Sequence, residues 1–213
     1  MKKIYPFIKR LVDFFVALVG LVVLSPLFLV IAILIKLDSS GPVIYSQKRV
    51  TIGRKVFTTY KFRSMVKNAR KLELEKGIAK EKLVTKFGKL LRHSHFDEFP
   101  QLINVIKGEM SLVGPRPLIA ENEIRRLMED KERAKRYEVK VGMASLERII
   151  NLAPGKREKI FSIFSNKDEL KRCKEDIEYD YYYVENQSFF VDFILFTETF
   201  LMSIKKLIGA KVN

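Results

Sequence analysis

The sequence predicts an α+β protein, mostly helical: an apolar N-terminal membrane segment, a small cytosolic domain with one β-hairpin, and interfacial amphipathic helices. Three observations predict it. Residues 14–35, FFVALVGLVVLSPLFLVIAILI, carry no charge. Residues 43–50 and 55–62 alternate apolar and polar side chains on either side of a short turn. Apolar residues recur at helical spacing over 99–106 and again over 190–208. The length of 213 residues allows one compact domain plus a membrane segment and hardly two full domains.

The apolar run of 22 residues would be about 33 Å long as a helix, enough to span a bilayer. It is too long for a cleaved signal peptide and has no small-residue cleavage site after it. One reading is a single spanning helix. A second follows from Ser25-Pro26 at its middle and from its flanks, which are basic on both sides: Lys2, Lys3, Lys9 and Arg10 before it, Lys36, Lys48, Arg49, Arg54 and Lys55 after it. Proline removes a backbone donor and kinks a helix. Lys and Arg favour the cytoplasmic side, so both flanks are satisfied when the helix bends at Ser25-Pro26 and returns to the face it entered. The chain then divides into 1–38, a re-entrant membrane hairpin, and 39–213, a cytosolic domain with membrane-surface helices.

After the SSGP turn, VIYSQKRV and KVFTTYKF form a hairpin around TIGR. The charged stretch 66–82 reads as an exposed helix or loop. In 90–117, LLRHSHFDEFPQLINVIKGEMSLVGPRP, the residues Phe99, Leu102, Ile103 and Ile106 mark one buried helix face, and Gly108 is its stop. Pro100 is tolerated only in a first turn, so the helix should begin around Asp97. This places Asp97 and Glu98 at a helix N-terminus, which favours anions. On local grounds they are an N-cap and a first-turn acid. Their company offers another reading. Lys61 and Arg63 lie in YKFRS, Arg92 lies five residues upstream, and Arg116 leaves a stiff GPRP segment. Guanidinium groups bind phosphate in bidentate fashion. Two carboxylates among such cations suit a phosphate site with a divalent ion, one acting as nucleophile and the other as metal ligand.

The formal net charge of +15 calls for an anionic partner. With an apolar N-terminal segment and no nucleic-acid motif, a membrane surface or phosphorylated substrate fits better than DNA or RNA. Cys173 is the one cysteine, so no internal disulfide forms. His93 and His95 are the only histidines and read as surface or packing residues. Any metal would therefore be a hard cation held by carboxylates. Toward the C-terminus, Phe193, Phe196, Phe200, Leu201, Ile204, Leu207 and Ile208 share one helix side, with Asp192, Glu198, Thr199, Lys205 and Lys206 on the other. That describes either an interfacial helix or one packed on the domain.

The segments KRLVDFFVALVGLVVLSP, IKLDSSGPVIYSQKRV, YKFRSM, TKFGKLLRHSHFDEFPQLINVIKGEMSLVGPRP and IEYDYYYVENQSFFVDF resemble the monotopic polyprenyl-phosphate phosphoglycosyl transferases, bacterial sugar transferases that start glycan assembly on a lipid carrier. The resemblance covers about residues 9–120 and 177–195. It implies a re-entrant helix broken at Ser-Pro, at the cytoplasmic face of the bacterial inner membrane. It implies that Asp97 attacks the phosphate next to the sugar of a UDP-sugar donor and releases UMP. Polyprenyl (undecaprenyl) phosphate then takes the phosphosugar, and Glu98 helps hold Mg²⁺. Lys61, Arg92, Arg116 and Asp180 become candidate site residues by the same match. A homo-oligomer is compatible with the sequence and not required by it. Two family features are missing. Glu81-Lys82-Leu83 stand where Asp-Pro-Arg usually precedes the threonine at Thr85. Val141 replaces a proline, and the run like Gln-Val-Asn-Gly-Arg that follows is absent. This departure leaves a second reading, a lapsed or altered-donor member acting as a membrane scaffold.

Overall fold

The computed structural model describes residues 4–152, 155, 157–164 and 167–207. Helix α1 (Tyr5–Asp38) is followed by strands β1 (Ile44–Thr51) and β2 (Lys55–Phe62), helices α2 (Ala69–Lys76), α3 (Lys86–Ser94) and α4 (Leu102–Lys107), strand β3 (Ser111–Val113) and helix α5 (Ala120–Glu129). Strand β4 (Gly142–Ala144) leads into α6 (Leu146–Leu152), α7 (Arg157–Ser162), α8 (Lys167–Arg172), α9 (Asp176–Asn186) and α10 (Phe189–Leu207). Helix dominates, as the sequence leads one to expect. The hairpin pairs β1 with β2 antiparallel from Ile44 opposite Phe62 to Thr51 opposite Lys55. Its turn is a 3-10 segment, Ile52–Arg54, in which Gly53 adopts φ 64°. A second, two-stranded parallel sheet joins β3 to β4.

Helix α1 is 34 residues long, about 51 Å at helical rise, and it lies lengthwise on the domain. Ala17, Leu21 and Leu24 pack into the larger core, with Leu102, Val105 and Leu112. Leu27, Phe28, Ile31 and Ile35 pack into a smaller one, with Phe62, Leu91 and Phe96. The opposite side is apolar and bare: Phe7, Phe15, Val19, Val22, Val23 and Leu29 are all exposed.

The expected division at Ser25-Pro26 is not seen as two elements, because Pro26 lies inside one helix. The reason is local. Proline lacks the N–H that would donate to the carbonyl four residues back, which is that of Val22. Ser25 Oγ donates to that same oxygen at 2.8 Å. The hydroxyl fills the vacancy, so the chain stays helical.

Both ends of α1 are fixed by charged side chains. At the start, Arg10 donates to the Val105 and Ile106 carbonyls at 2.6 and 2.7 Å, capping the C-terminus of α4. Asp13 accepts from the Leu112 N–H of β3 at 3.1 Å. Tyr5, Lys9 and Tyr183 all donate to the Asp192 carboxylate on α10. At the far end, buried Arg63 donates to the Ser39 and Ser40 carbonyls at 2.6 and 2.7 Å and reaches Ile35 O at 3.4 Å. These satisfy carbonyls that a helix end leaves without donors.

Helix α10 packs one side on the domain and leaves the other bare. Its polar residues Asp192 and Glu198 are buried against the domain. Its aromatic side is bare, with Phe189, Phe190, Phe193, Phe200 and Leu201 exposed. Ile208 lies outside the described residues.

Candidate active site

The Asp97-Glu98 pair sits where α3 turns into α4. Helix α3 ends at His95, whose φ of 62° is left-handed and redirects the chain. Residues Phe96–Gln101 then form a 3-10 turn, and the α-helix proper begins at Leu102. The sequence places an α-helix start at Asp97, but the structure puts a tighter turn there. Glu98 N–H donates back to the His95 carbonyl at 3.1 Å, and Pro100, without an N–H, cannot extend an α-helical ladder. The carboxylates still lie in a first turn. Gly108, at φ 79°, terminates α4 as expected.

The two carboxylates have different surroundings. Lys61 Nζ, from β2, meets Glu98 Oε1 at 2.7 Å, and Arg148, at the start of α6, pairs with its other oxygen. Burial pushes the Glu98 carboxyl up, but the charges and hydrogen bonds of Lys61 and Arg148 outweigh it and hold the group well below the usual carboxylate range. Asp97 has no ion-pair partner among the described residues. Burial, and then the neighbouring Glu98 charge, push it up to about 6 against the pull of Lys61, Arg148 and Arg92. Near neutral pH both are ionised. Asp97 is the more basic and the less neutralised, the better nucleophile of the two.

Beside Glu98 lies a cleft of about 30 Å³ bounded by Arg49, Lys61, Arg116, Met143 and Arg148. Arg116 is exposed at its rim. Its backbone is braced from behind: Arg136 donates to the Arg116 carbonyl at 2.8 Å, and Asp180 holds Arg136 at 2.6 Å. Asp180 thus supports the GPRP segment through Arg136 and does not line the cleft. Arg92 donates from Nε to Ser64 Oγ at 2.9 Å, with Met65 sulfur 3.3 Å from its terminal nitrogen. Arg63 is not brought here; its guanidinium is occupied at the end of α1. Three residues that sequence reasoning missed are Arg148, Arg49 and Arg136. Arg49 binds the Pro117 carbonyl at 2.9 Å and Gln47 at 2.6 Å.

Glycines close the cleft's floor. A Cβ on Gly142 would lie 2.0 Å from Gly114 N, and one on Gly114 would lie 2.3 Å from Lys140 O. The GPRP loop and β4 therefore approach backbone to backbone, which brings Arg116 beside the segment leading to Arg148. A larger depression, between the Ile52–Arg54 turn and Lys131–Glu138, contains none of the candidate site residues.

Among the described residues no three His, Cys, Asp or Glu side chains converge as a metal cage. Asp97 and Glu98 offer hard oxygen donors, and Mg²⁺ is commonly held by one or two carboxylates completed by substrate phosphates and water. The donor set suits a cation that arrives with a phosphorylated substrate.

The family described as bacterial sugar transferase matches residues 4–206. The chain is 35% identical over 201 residues to a UDP-N-acetylgalactosamine-undecaprenyl-phosphate N-acetylgalactosaminephosphotransferase of Aeromonas hydrophila, covering 92% of this chain and 43% of that protein. It is 36% identical over 200 residues to a UDP-glucose:undecaprenyl-phosphate glucose-1-phosphate transferase of Klebsiella pneumoniae, covering 93% of this chain and 40% of that protein. It is also 36% identical over 187 residues to the uncharacterized sugar transferase EpsL of Bacillus subtilis (strain 168), covering 87% of this chain and 81% of that protein. The chain spans about two fifths of the length of the first two relatives. With the match running through α1, the dyad and α10, the chain belongs to the bacterial sugar transferase family.

Proposed function

We propose that the chain moves a sugar-1-phosphate from a UDP-sugar to polyprenyl phosphate at the cytoplasmic face of the membrane, by way of a covalent phosphosugar on Asp97. The observation that carries this reading is the asymmetric dyad: an Asp97 without an ion-pair partner among the described residues, beside a Glu98 locked by Lys61 and Arg148.

An Asp97 carboxylate oxygen attacks the phosphorus attached to the sugar. The bond from that phosphorus to the bridging oxygen breaks, and its electron pair leaves with UMP. A polyprenyl phosphate oxygen then attacks the same phosphorus, the bond to Asp97 breaks, and the carboxylate returns. No proton needs to move. Arg116 and Arg49 stand at the rim where the donor's phosphates would bind. Asp97 and Glu98 would hold Mg²⁺, which supplies charge neutralisation at the departing phosphate when bound.

The bare apolar faces of α1 and α10 suit immersion in one leaflet, with both ends of α1 returning to the cytosolic domain. In that arrangement Ser25 keeps the Val22 carbonyl satisfied where no water reaches it.

The test is UMP release by protein purified in detergent, offered a panel of UDP-sugars with Mg²⁺ and undecaprenyl phosphate. Wild type should release UMP with at least one donor, and Asp97→Asn should lose at least about a thousandfold in rate, as removal of a nucleophile does. Release by Asp97→Asn at the wild-type rate would sink the covalent route.

A further inference from the structure

We propose that Lys206, with the His95 ring beside it, forms the landing site for the phosphate monoester head of the lipid acceptor. The proposal rests on the transfer reaction proposed above. It assigns a ligand to a lysine that the donor side of the cleft does not use.

Four described cations around the dyad have no carboxylate partner: Arg49, Arg92, Arg116 and Lys206. Arg49 and Arg116 stand together on the Pro117 side of the cleft, and Arg92 is tied to Ser64 and Met65. Lys206 comes from elsewhere. It continues the inward stripe of α10 from Leu195 through Glu198 and Met202, and it is half-buried. Its Nζ lies 3.2 Å from His95 Nε2. That contact supplies no opposing charge. The site is also next to the chemistry, since the His95 carbonyl accepts the Glu98 N–H at 3.1 Å.

A half-buried ammonium without a counter-charge favours an anion, and lysine binds phosphate as a point charge. The position selects which phosphate. Phe193, Phe200 and Leu201 project from the opposite face of the same helix, so an α10 that meets lipid on that side presents Lys206 on the other, to His95, two residues from Asp97. Helices α1 and α10 both pack on α3 and β3, and Tyr5 and Lys9 of α1 reach Asp192 of α10; the bare face of α10 marks the side from which a lipid would enter. A lipid phosphate entering from that side reaches Lys206 and His95, whereas a soluble nucleotide meets Arg116 and Arg49. Two phosphates that must visit one carboxylate in turn would then each have their own cation.

The experiment compares wild type, Lys206→Met, Lys206→Arg and the neighbouring exposed Lys205→Met in initial-rate assays. Lys206→Met should raise the KM for undecaprenyl phosphate about tenfold, the size of one charge-assisted contact, with the KM for the UDP-sugar within about twofold. Lys206→Arg should recover most of the loss, and Lys205→Met should match wild type. An unchanged lipid KM, or donor and lipid KM rising together, overturns the proposal. A binding arm needs no turnover: retention of radiolabelled undecaprenyl phosphate, and of undecaprenol as the phosphate-free control, by Asp97→Asn with and without Lys206→Met. Selective loss of the phosphorylated lipid supports the site. Equal retention, or equal loss of both lipids, overturns it. If wild type turns over no donor, the transfer reaction fails while this arm still decides for or against Lys206.

Discussion

Asp97 and Glu98 are adjacent in sequence, yet their surroundings differ because the neighbours of Glu98 come from different parts of the chain. Lys61 reaches Glu98 from β2, and Arg148 reaches it from a position 50 residues downstream. The dyad, Lys61 and Arg116 could be read from the sequence because carboxylates and cations cluster there in recognisable segments. Arg148 could not, because it sits in the stretch that departs from the family pattern and nothing local marks it. Arg49 was visible only as one of several basic residues that follow the apolar run. Arg148→Gln should leave Glu98 with Lys61 alone and cost about 1.5–3 kcal/mol in kcat/KM, the range for a hydrogen bond to a charged group. The loss should be measurable as a roughly ten- to hundredfold fall in the transfer rate. Wild-type kcat/KM in Arg148→Gln would show that the pair is only structural.

The sequence marked most boundaries of the elements well. Hairpin alternation and the Gly108 stop both match the structure. It was less informative about how elements are joined. The 3-10 turn at the dyad depends on the left-handed turn at His95, which is rare for a residue with a Cβ and which no sequence pattern announced. Arg63 shows the same gap. Its place beside Lys61 in YKFRS suggested a phosphate ligand, but Arg63 lies just past the end of β2, and folding brings the end of α1 against it, where its guanidinium is taken up by the Ser39 and Ser40 carbonyls. Arg63→Met would leave the carbonyls at that helix end without donors. Thermal unfolding should register a loss of about 2–4 kcal/mol, while the donor KM of the folded fraction stays within about twofold. A large rise in donor KM without loss of stability would return Arg63 to the substrate site.

At the scale of the whole molecule, the bare apolar faces of α1 and α10 leave more exposed hydrophobic surface than a soluble monomer usually tolerates. The proposed topology returns both flanks of α1 to the cytosol. With Cys173 replaced by serine, single cysteines at positions 3 and 55 should react with an impermeant maleimide only from the cytoplasmic side. Reaction of either one from outside would favour a spanning helix.

Arg10 locks the start of α1 to the end of α4, and Arg63 locks the end of α1 to β2. Fastened at both ends, the anchor cannot slide past the body that carries Asp97. With α1 immersed as proposed, the height of the carboxylate over the lipid would be set by the protein's own backbone, as by a depth stop on a drill. Under the proposed membrane placement, a thicker or thinner bilayer would tilt the entire molecule and leave the distance between α1 and Asp97 unchanged.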